Sequence, residues 1–558
     1  LIQQGYQNNE LVLSSLRGTS RAFGVPFGVS NCDDVQLADG DPRRVTRVPT
    51  LQNWQAYMAG CTLLFPECCG WWIKGGANFS YNRGFLPAGF GRRRLGQEQD
   101  FWDFLRTRGE VCEPEVGMAF VQGHLDFWDG RPGVNNEYMD GHYAPGLYLL
   151  FLGSLVRAGT TPGWPYGPPE AGWRYLDVVF PGIRFRQIYP VVCPTTRVHW
   201  FCPTPFGKVD ITPQEAAAEA LERYKVLFVP GWNTMTTGQY RKFKRYVKAG
   251  GTLFMSVAQC STNDRRDRPI KLFRDGDLSD LFGVEIAGKG RLTSAVAGCA
   301  TDRCTGIEQG ETYALSGSGR NKLYAARAKT PVVAAGTGAE VVARDSRSGA
   351  PLLIRHRLGK GTAYLLTVWG YPGEENLGGF MRHVLAHLAR YAALPIRVEP
   401  ADSANYSVSF IRQEPEPIAG PSATRYEAGG TPTLINLTDI NWWDIERGLA
   451  EHTLVLGASR VPVTVPAGDM MSVLWYRDLV LIPEDKRVLI EGVRDLDNGW
   501  EVVVQGAGVQ RFRVCLLKGS KVRASIDGCK IKSRRANNGT CFETTLDGRH
   551  TLTLQTPP

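Results

Sequence analysis

Two runs of unbroken apolar character, Val226-Leu227-Phe228-Val229 and Thr252-Leu253-Phe254-Met255, frame a segment with Tyr240, Phe243 and Val247 at helical spacing. A strand without polar alternation has both faces buried. Two such strands joined through a helix read as a βαβ unit with parallel strands. The punctuation agrees: Pro230-Gly231 ends the first strand and Gly250-Gly251 stops the helix. The same texture extends over about 114–395, with a first strand at 116–121, a late strand at 364–368 and a helix at 376–391. Thr212 reads as the N-cap of a helix over 212–224, with Pro213 in its first turn and Glu215 completing a capping box. The expectation is a doubly wound α/β domain in which the strands 226–229 and 252–256 are parallel neighbours.

Upstream, residues 1–113 also alternate helix and strand. Leu11, Val12, Leu13 and Leu16 lie on a helix ending near Gly24, followed by a strand at 25–30. Thr50 caps a helix with Leu51, Trp54 and Met58 on one face, and Gly60 stops it. A strand at 62–65 ends in Pro66-Glu67, and a Gly-rich aromatic loop follows from Cys68 to Arg94. Phe101, Phe104 and Leu105 mark one more helix, closed by Gly109. This is part of an α/β unit, too short for a whole (β/α)8 barrel of about 250 residues.

After Pro395 the helical period vanishes. Short strands take over at 433–437, 461–465, 500–504, 511–515 and 551–554, with hairpin signals at Asn498-Gly499, Asn538-Gly539 and Asp547-Gly548. Pro462 and Pro466 mark the second of these as an edge strand. The fold class is therefore α/β followed by all-β, the last part reading as two small sandwiches, 396–478 and 479–558.

Composition narrows the partners. The 43% of apolar residues supports real cores, and no window of about 18 apolar residues offers a membrane span. Lys and Arg number 64 against 55 acidic residues, and the basic runs (Arg92–Arg94, Arg534-Arg535) are short, so nucleic acid is not expected as a partner. Among 13 cysteines, Cys193 and Cys202, Cys299 and Cys304, and Cys529 and Cys541 lie close in sequence and read as local disulfides. The odd total leaves one thiol unpaired or intermolecular. With sequons at Asn78, Asn405, Asn436 and Asn538, they point to a secreted glycoprotein. The opening Leu-Ile-Gln-Gln lacks Met, as in a processed or truncated chain.

This order of parts resembles the family 42 β-galactosidases, multidomain glycoside hydrolases with a catalytic (β/α)8 barrel, an amidotransferase-like domain and a β-sandwich. The residues that carry the resemblance are Tyr224–Gly231, Val247–Leu253, Leu281-Phe282-Gly283-Val284 and Gly359–Tyr364. It implies that 58–67 is the last barrel strand, 95–109 the last barrel helix and 114–395 the amidotransferase-like domain, which serves packing and homo-oligomerisation. It also implies that the first five or six barrel strands, including the fourth strand with the acid/base, lie outside this chain.

Glycoside hydrolysis needs two carboxyl groups at the C-terminal ends of barrel strands. Glu67 directly follows one strand, and Asp33 and Asp34 follow another. Glu67 and Asp33 are the candidate catalytic groups. Asp34, Trp71, Trp72 and Tyr81 are candidate sugar contacts, the aromatic rings offering flat faces to pyranose C–H groups. The structural alternatives are a Glu67 ion pair with the Arg92–Arg94 run, an Asp33-Asp34 helix cap and an aromatic plug. Cys260 follows the strand 252–256 where an amidotransferase nucleophile would sit, but no glycine flanks it and no His-x-Glu follows 364–368. His383 and His387 form the one i, i+4 histidine pair, without an adjacent Glu, and read as packing. No cofactor and no metal is expected. Two functions stay open: a secreted glycoside hydrolase acting on an oligo- or polysaccharide, and a non-catalytic extracellular structural or sugar-binding protein on the same frame.

Overall fold

The parallel strands of the middle region are where continuous apolar sequence places them. In the computed structural model Val226–Phe228 and Thr252–Ser256 are parallel neighbours, with Val226 opposite Thr252. Met118–Gln122 pairs parallel with Val226–Phe228 on the other side. The structure describes residues 2–4, 9–32, 53–67, 96, 99–106, 114–122, 184–187, 199–201, 206–230, 234–263, 270–315, 324–328, 339–368, 378–392, 396–399, 408–413, 432–439, 449–466, 469–518, 521–536 and 539–556. They belong to two units: Tyr6–Phe27 with Val116–Leu394, and Ile2–Gly5 with Gly28–Glu115 and Pro395–Pro558.

The first unit is built on a nine-stranded sheet. Its parallel half runs Gly361–Leu366, Thr252–Ser256, Val226–Phe228, Met118–Gln122 and Val209–Pro213. The other half is antiparallel, through Pro351–Leu358, Ala339–Asp345, Ala295–Gly298 and Thr312–Ala314, so the sheet is mixed rather than wholly parallel. The helix Thr237–Ala249 buries Tyr240, Phe243, Tyr246 and Val247. Thr236 accepts from the Gln239 N–H and the Gln239 side chain answers, a complete capping box, and Gly250 at φ 127° ends the helix.

The helix expected over 212–224 is a correction. Thr212 and Pro213 are buried in the edge strand Val209–Pro213, and the helix is only Ala218–Leu221, with no side-chain cap. Proline tolerates a sheet edge because its missing N–H has no partner to lose there.

The helix Asn9–Phe23 packs into this first unit. A Cβ on Gly18 would fall 1.9 Å from the Ile211 carbonyl oxygen, so only glycine lets the helix backbone lie that close to the edge strand. Around it lies a buried ionic network. Asp210 accepts from Arg17 Nε at 2.6 Å, Arg21 Nη1 at 2.8 Å and Tyr224 Oη at 2.8 Å. Lys208 Nζ donates to Glu10 at 2.8 Å. Glu10 and Asp210 have no exposed side-chain surface and Arg17 has 2%. Burial alone would raise the Asp210 carboxyl, but Arg17 and Arg21 hold it below the usual carboxylate range.

The second unit holds three short parallel strands in the order Ile2–Gln4, Gly28–Cys32, Leu63–Glu67. Trp54, Tyr57, Met58, Phe101 and Phe104 form a small core, with Phe101 and Phe104 edge-on to Trp54 at 4.9 and 4.8 Å. Lys486 Nζ lies 5.0 Å from the Trp54 ring centre and donates to Asp469 at 2.8 Å and to Asp100.

The remainder of the unit is all-β. Ile396–Glu399, Leu449–Leu456 and Ser459–Pro466 make one sheet, with Ser459–Pro466 on its edge as Pro462 requires. A ten-stranded sheet holds the rest. Residue 478 is no boundary within it: Tyr476 pairs with Leu479 across a tight turn with Arg477 at φ 53°. The strands expected at 500–504 and 511–515 are one strand, Gly499–Leu516, paired along its length with Gly539–Gln555. Asp547-Gly548, expected as a turn, lies inside that pairing, opposite Ala507 and Gly506.

Two of the three expected disulfides are corrected. Cys299, Cys304, Cys529 and Cys541 are free thiols, while Cys193 and Cys202 lie outside the described residues. Cys529 pairs with Ile526 and Ile526 with Leu552, which is eleven residues along the same strand from Cys541. That spans roughly 36 Å at about 3.3 Å per residue, against about 7 Å for bridged Cα atoms. Cys299 Sγ turns back to the Ala297 carbonyl at 3.7 Å, while Cys304 faces Tyr364, its thiol pushed up to about 12 by burial. Peptide mapping after alkylation under denaturation is expected to recover Cys61, Cys260, Cys299, Cys304, Cys515, Cys529 and Cys541 as free thiols. A linked Cys299–Cys304 or Cys529–Cys541 peptide would overturn this.

Candidate functional site

The C-terminal ends of the three parallel strands carry the candidate carboxylate. Glu67 is the last residue of Leu63–Glu67, and its register partner is Cys32, the last residue of Gly28–Cys32. The strand thus reaches two residues beyond the expected 62–65 and takes Pro66 and Glu67 into the sheet. Beneath it, Cys61 Sγ donates to the Leu63 carbonyl at 3.0 Å, and burial pushes this thiol up to about 11, which makes it a structural group. Asp33 follows Cys32 in the chain. Asp33, Asp34, Trp71, Trp72 and Tyr81 lie outside the described residues.

The sequons separate in the same way. Asn78, Asn405 and Asn538 lie outside the described residues, whereas Asn436 is fully buried in Thr433–Asp439. Ser472 Oγ donates to Asn436 Oδ1 at 2.6 Å. A glycan has no room there, so Asn436 is corrected to a core polar residue.

The position after Thr252–Ser256 carries no nucleophile. A single 3₁₀ turn, Val257–Cys260, follows the strand, and the Gln259 side chain occupies it, accepting from Ser256 N–H at 2.6 Å and donating to the Val229 carbonyl. Cys260 is fully buried and its thiol is pushed up to about 12. A neutral, solvent-free thiol is a packing group. The histidine pair is likewise tied to backbone: His383 Nε2 is 2.7 Å from the Gly306 carbonyl and His387 Nδ1 is 2.9 Å from the His383 carbonyl. Among the described residues no three His, Cys, Asp or Glu side chains cluster as metal ligands, and no helix is long and apolar enough to cross a membrane.

One cavity was not visible in sequence. About 430 Å³ opens in the all-β region, bounded by Ser459, Arg460 and Pro462 on one side and by Leu517, Arg535 and Thr540 on the other. Its residues come from segments some 80 positions apart, so no local motif announces it.

Comparison with known proteins places the middle of the chain. Residues 208–395 match the family described as the beta-galactosidase trimerisation domain of glycoside hydrolase family 42. The resemblance to family 42 β-galactosidases read from Tyr224–Gly231 and its companions is borne out over that segment. Similar solved structures include a β-galactosidase from Rahnella sp. R3 (14% identity, 84% of this chain and 58% of that one, TM-score 0.45). Another is a β-galactosidase from Bacillus circulans sp. alkalophilus (13% identity, 82% and 61%, TM-score 0.42). A third is α-L-fucosidase isoenzyme 2 from Paenibacillus thiaminolyticus (10% identity, 99% and 63%, TM-score 0.40). The chain spans about three fifths of the length of these proteins. No curated protein matches it by sequence.

Proposed function

We propose that this chain is a carbohydrate-active protein of the family 42 kind, a glycoside hydrolase that cleaves a β-galactoside by paired-carboxylate chemistry. The observation that carries the reading is the match of 208–395 to the trimerisation domain of β-galactosidases. In this reading the three parallel strands belong to a (β/α)8 barrel, and Glu67 stands at the strand end where such barrels build their sites. In place of the fourth-strand acid/base that the resemblance puts outside this chain, Asp33 supplies the second carboxyl group, with Asp34, Trp71, Trp72 and Tyr81 holding the sugar. The middle domain, amidotransferase-like in frame and without a usable nucleophile, serves assembly. An extracellular location belongs to the same proposal and rests on the sequons at Asn78, Asn405 and Asn538.

Two measurements test it. The chain is expected to release the chromophore from an aryl β-D-galactoside and to run by light scattering at three times its 61.6 kDa. Binding of galactosides without turnover would replace the enzyme by the sugar-binding alternative. A monomer would remove the assembly role of 208–395.

A further inference from the structure

We propose that the cavity in the all-β region is a second ligand site, one that takes a sugar acid. It lies between the edge strand Ser459–Pro466 and the ends of Gly499–Leu516 and Gly539–Gln555, and Arg513 Nη2, donating to the Pro462 carbonyl at 3.0 Å, ties the two sheets at this place. A volume of about 430 Å³ is within the usual range for small-ligand sites. It is several times what an inorganic anion would fill.

The charge is one-sided. Arg460 and Arg535 line the cavity, and among the described residues no carboxylate does. Arg460 donates to Glu399 just outside, but Arg397 takes the same carboxylate at 2.8 Å, so one acid answers two guanidinium groups. Arg535 is exposed and makes no ion pair among the described residues. A guanidinium offers a planar fork that fits a carboxylate through two parallel N–H bonds.

The rest of the lining has the other half of the recognition. Ser459 and Thr540 hydroxyl groups can exchange hydrogen bonds with ligand hydroxyls, and Val461, Pro462 and Leu517 offer apolar surface to ring C–H groups. One carboxylate, several hydroxyls and a compact ring with an apolar face describe a hexuronic acid. The sugar scaffold rests on the carbohydrate reading above; the anionic character rests on the cavity alone. Cys515 also lines the cavity as a free thiol, while Cys529 is exposed elsewhere, which gives a reporter and its control in one chain.

The experiment is calorimetric titration of the full chain with glucuronate, galacturonate, galactose and inorganic phosphate, repeated on Arg535→Gln. Binding of at least one hexuronate is expected, with galactose and phosphate at least about tenfold weaker and a similar loss in Arg535→Gln. The bound hexuronate should slow alkylation of Cys515 and leave Cys529 unchanged. No hexuronate binding, or equal binding by Arg535→Gln, would overturn the site. Phosphate binding as tightly as the hexuronates would show an anion sink and overturn the sugar acid. Turnover of the aryl galactoside by Arg535→Gln should equal that of the parent. A chain that binds hexuronates but lacks turnover would fail the function proposed above and leave this one standing.

Discussion

Replacing Asp210 by Asn is expected to destabilise the α/β unit by about 3–5 kcal/mol, the cost of breaking a buried ion pair from one side. Asparagine keeps the shape, but it cannot compensate Arg17 and Arg21, which both donate to this carboxylate. The network holds two acids, Glu10 and Asp210, against Arg17, Arg21 and Lys208, so it already carries one excess positive charge. The substitution makes that excess two, with Arg17 2% exposed and unable to reach water. Asp527→Asn is the control. Asp527 is half-exposed and pairs with His550 at the surface, where such a contact is worth about 0–1 kcal/mol.

The pH dependence has a definite sign. The Asp210 carboxyl is held low in the folded chain, so the unfolded chain binds its proton first as pH falls. Its stabilisation is full above the unfolded value of about 3.9 and is lost as pH drops towards the folded one. Urea unfolding of the parent should therefore weaken steeply below about pH 4, and the Asp210→Asn chain should show a shallower acid limb. A loss of under about 1 kcal/mol at pH 7, or identical acid limbs, would mean that the network relaxes around the change.

What sequence reveals here follows the range of the interaction. The parallel half of the nine-stranded sheet was legible because burial on both faces writes itself into consecutive residues, as in Leu253-Phe254-Met255. The antiparallel half was not, because a strand such as Ala295–Gly298 is short and small and carries no period. Thr212-Pro213-Glu215 misled because a strand edge accepts the same proline that a helix start prefers. Asp547-Gly548 misled because its pairing with Ala507 and Gly506 overrides a local turn preference. The Asp210 network joins residues almost 200 positions apart, and short cysteine spacing said nothing about which way each thiol points. At the candidate site, Pro66-Glu67 announced a strand end. The parallel register sets Cys32 opposite Glu67 at that same end of the sheet, a pairing that spacing alone could not give.

Replacing Glu67 by Gln is expected to reduce turnover of the aryl galactoside by at least about a hundredfold, the usual contribution of a positioned proton-transfer group and a lower bound for a nucleophile. Gln keeps the size and the hydrogen-bonding reach of the side chain and removes its charge and its proton. Glu67 ends a strand paired on one side with Gly28–Cys32, and its backbone stays in register whatever the side chain carries. The melting temperature should therefore stay within about 2 °C of the parent, the shift that a surface change of about ±0.5 kcal/mol gives in a chain of this size. The competing role, an ion pair with an arginine of the Arg92–Arg94 run, predicts the reverse pattern. Turnover would be intact, and stability would fall by about 1–3 kcal/mol as the partner loses its acceptor. Measuring both quantities on one variant separates the two roles. A galactosidase that survives Glu67→Gln at full rate would need its carboxylates elsewhere, and the end of this parallel sheet would then be scaffold.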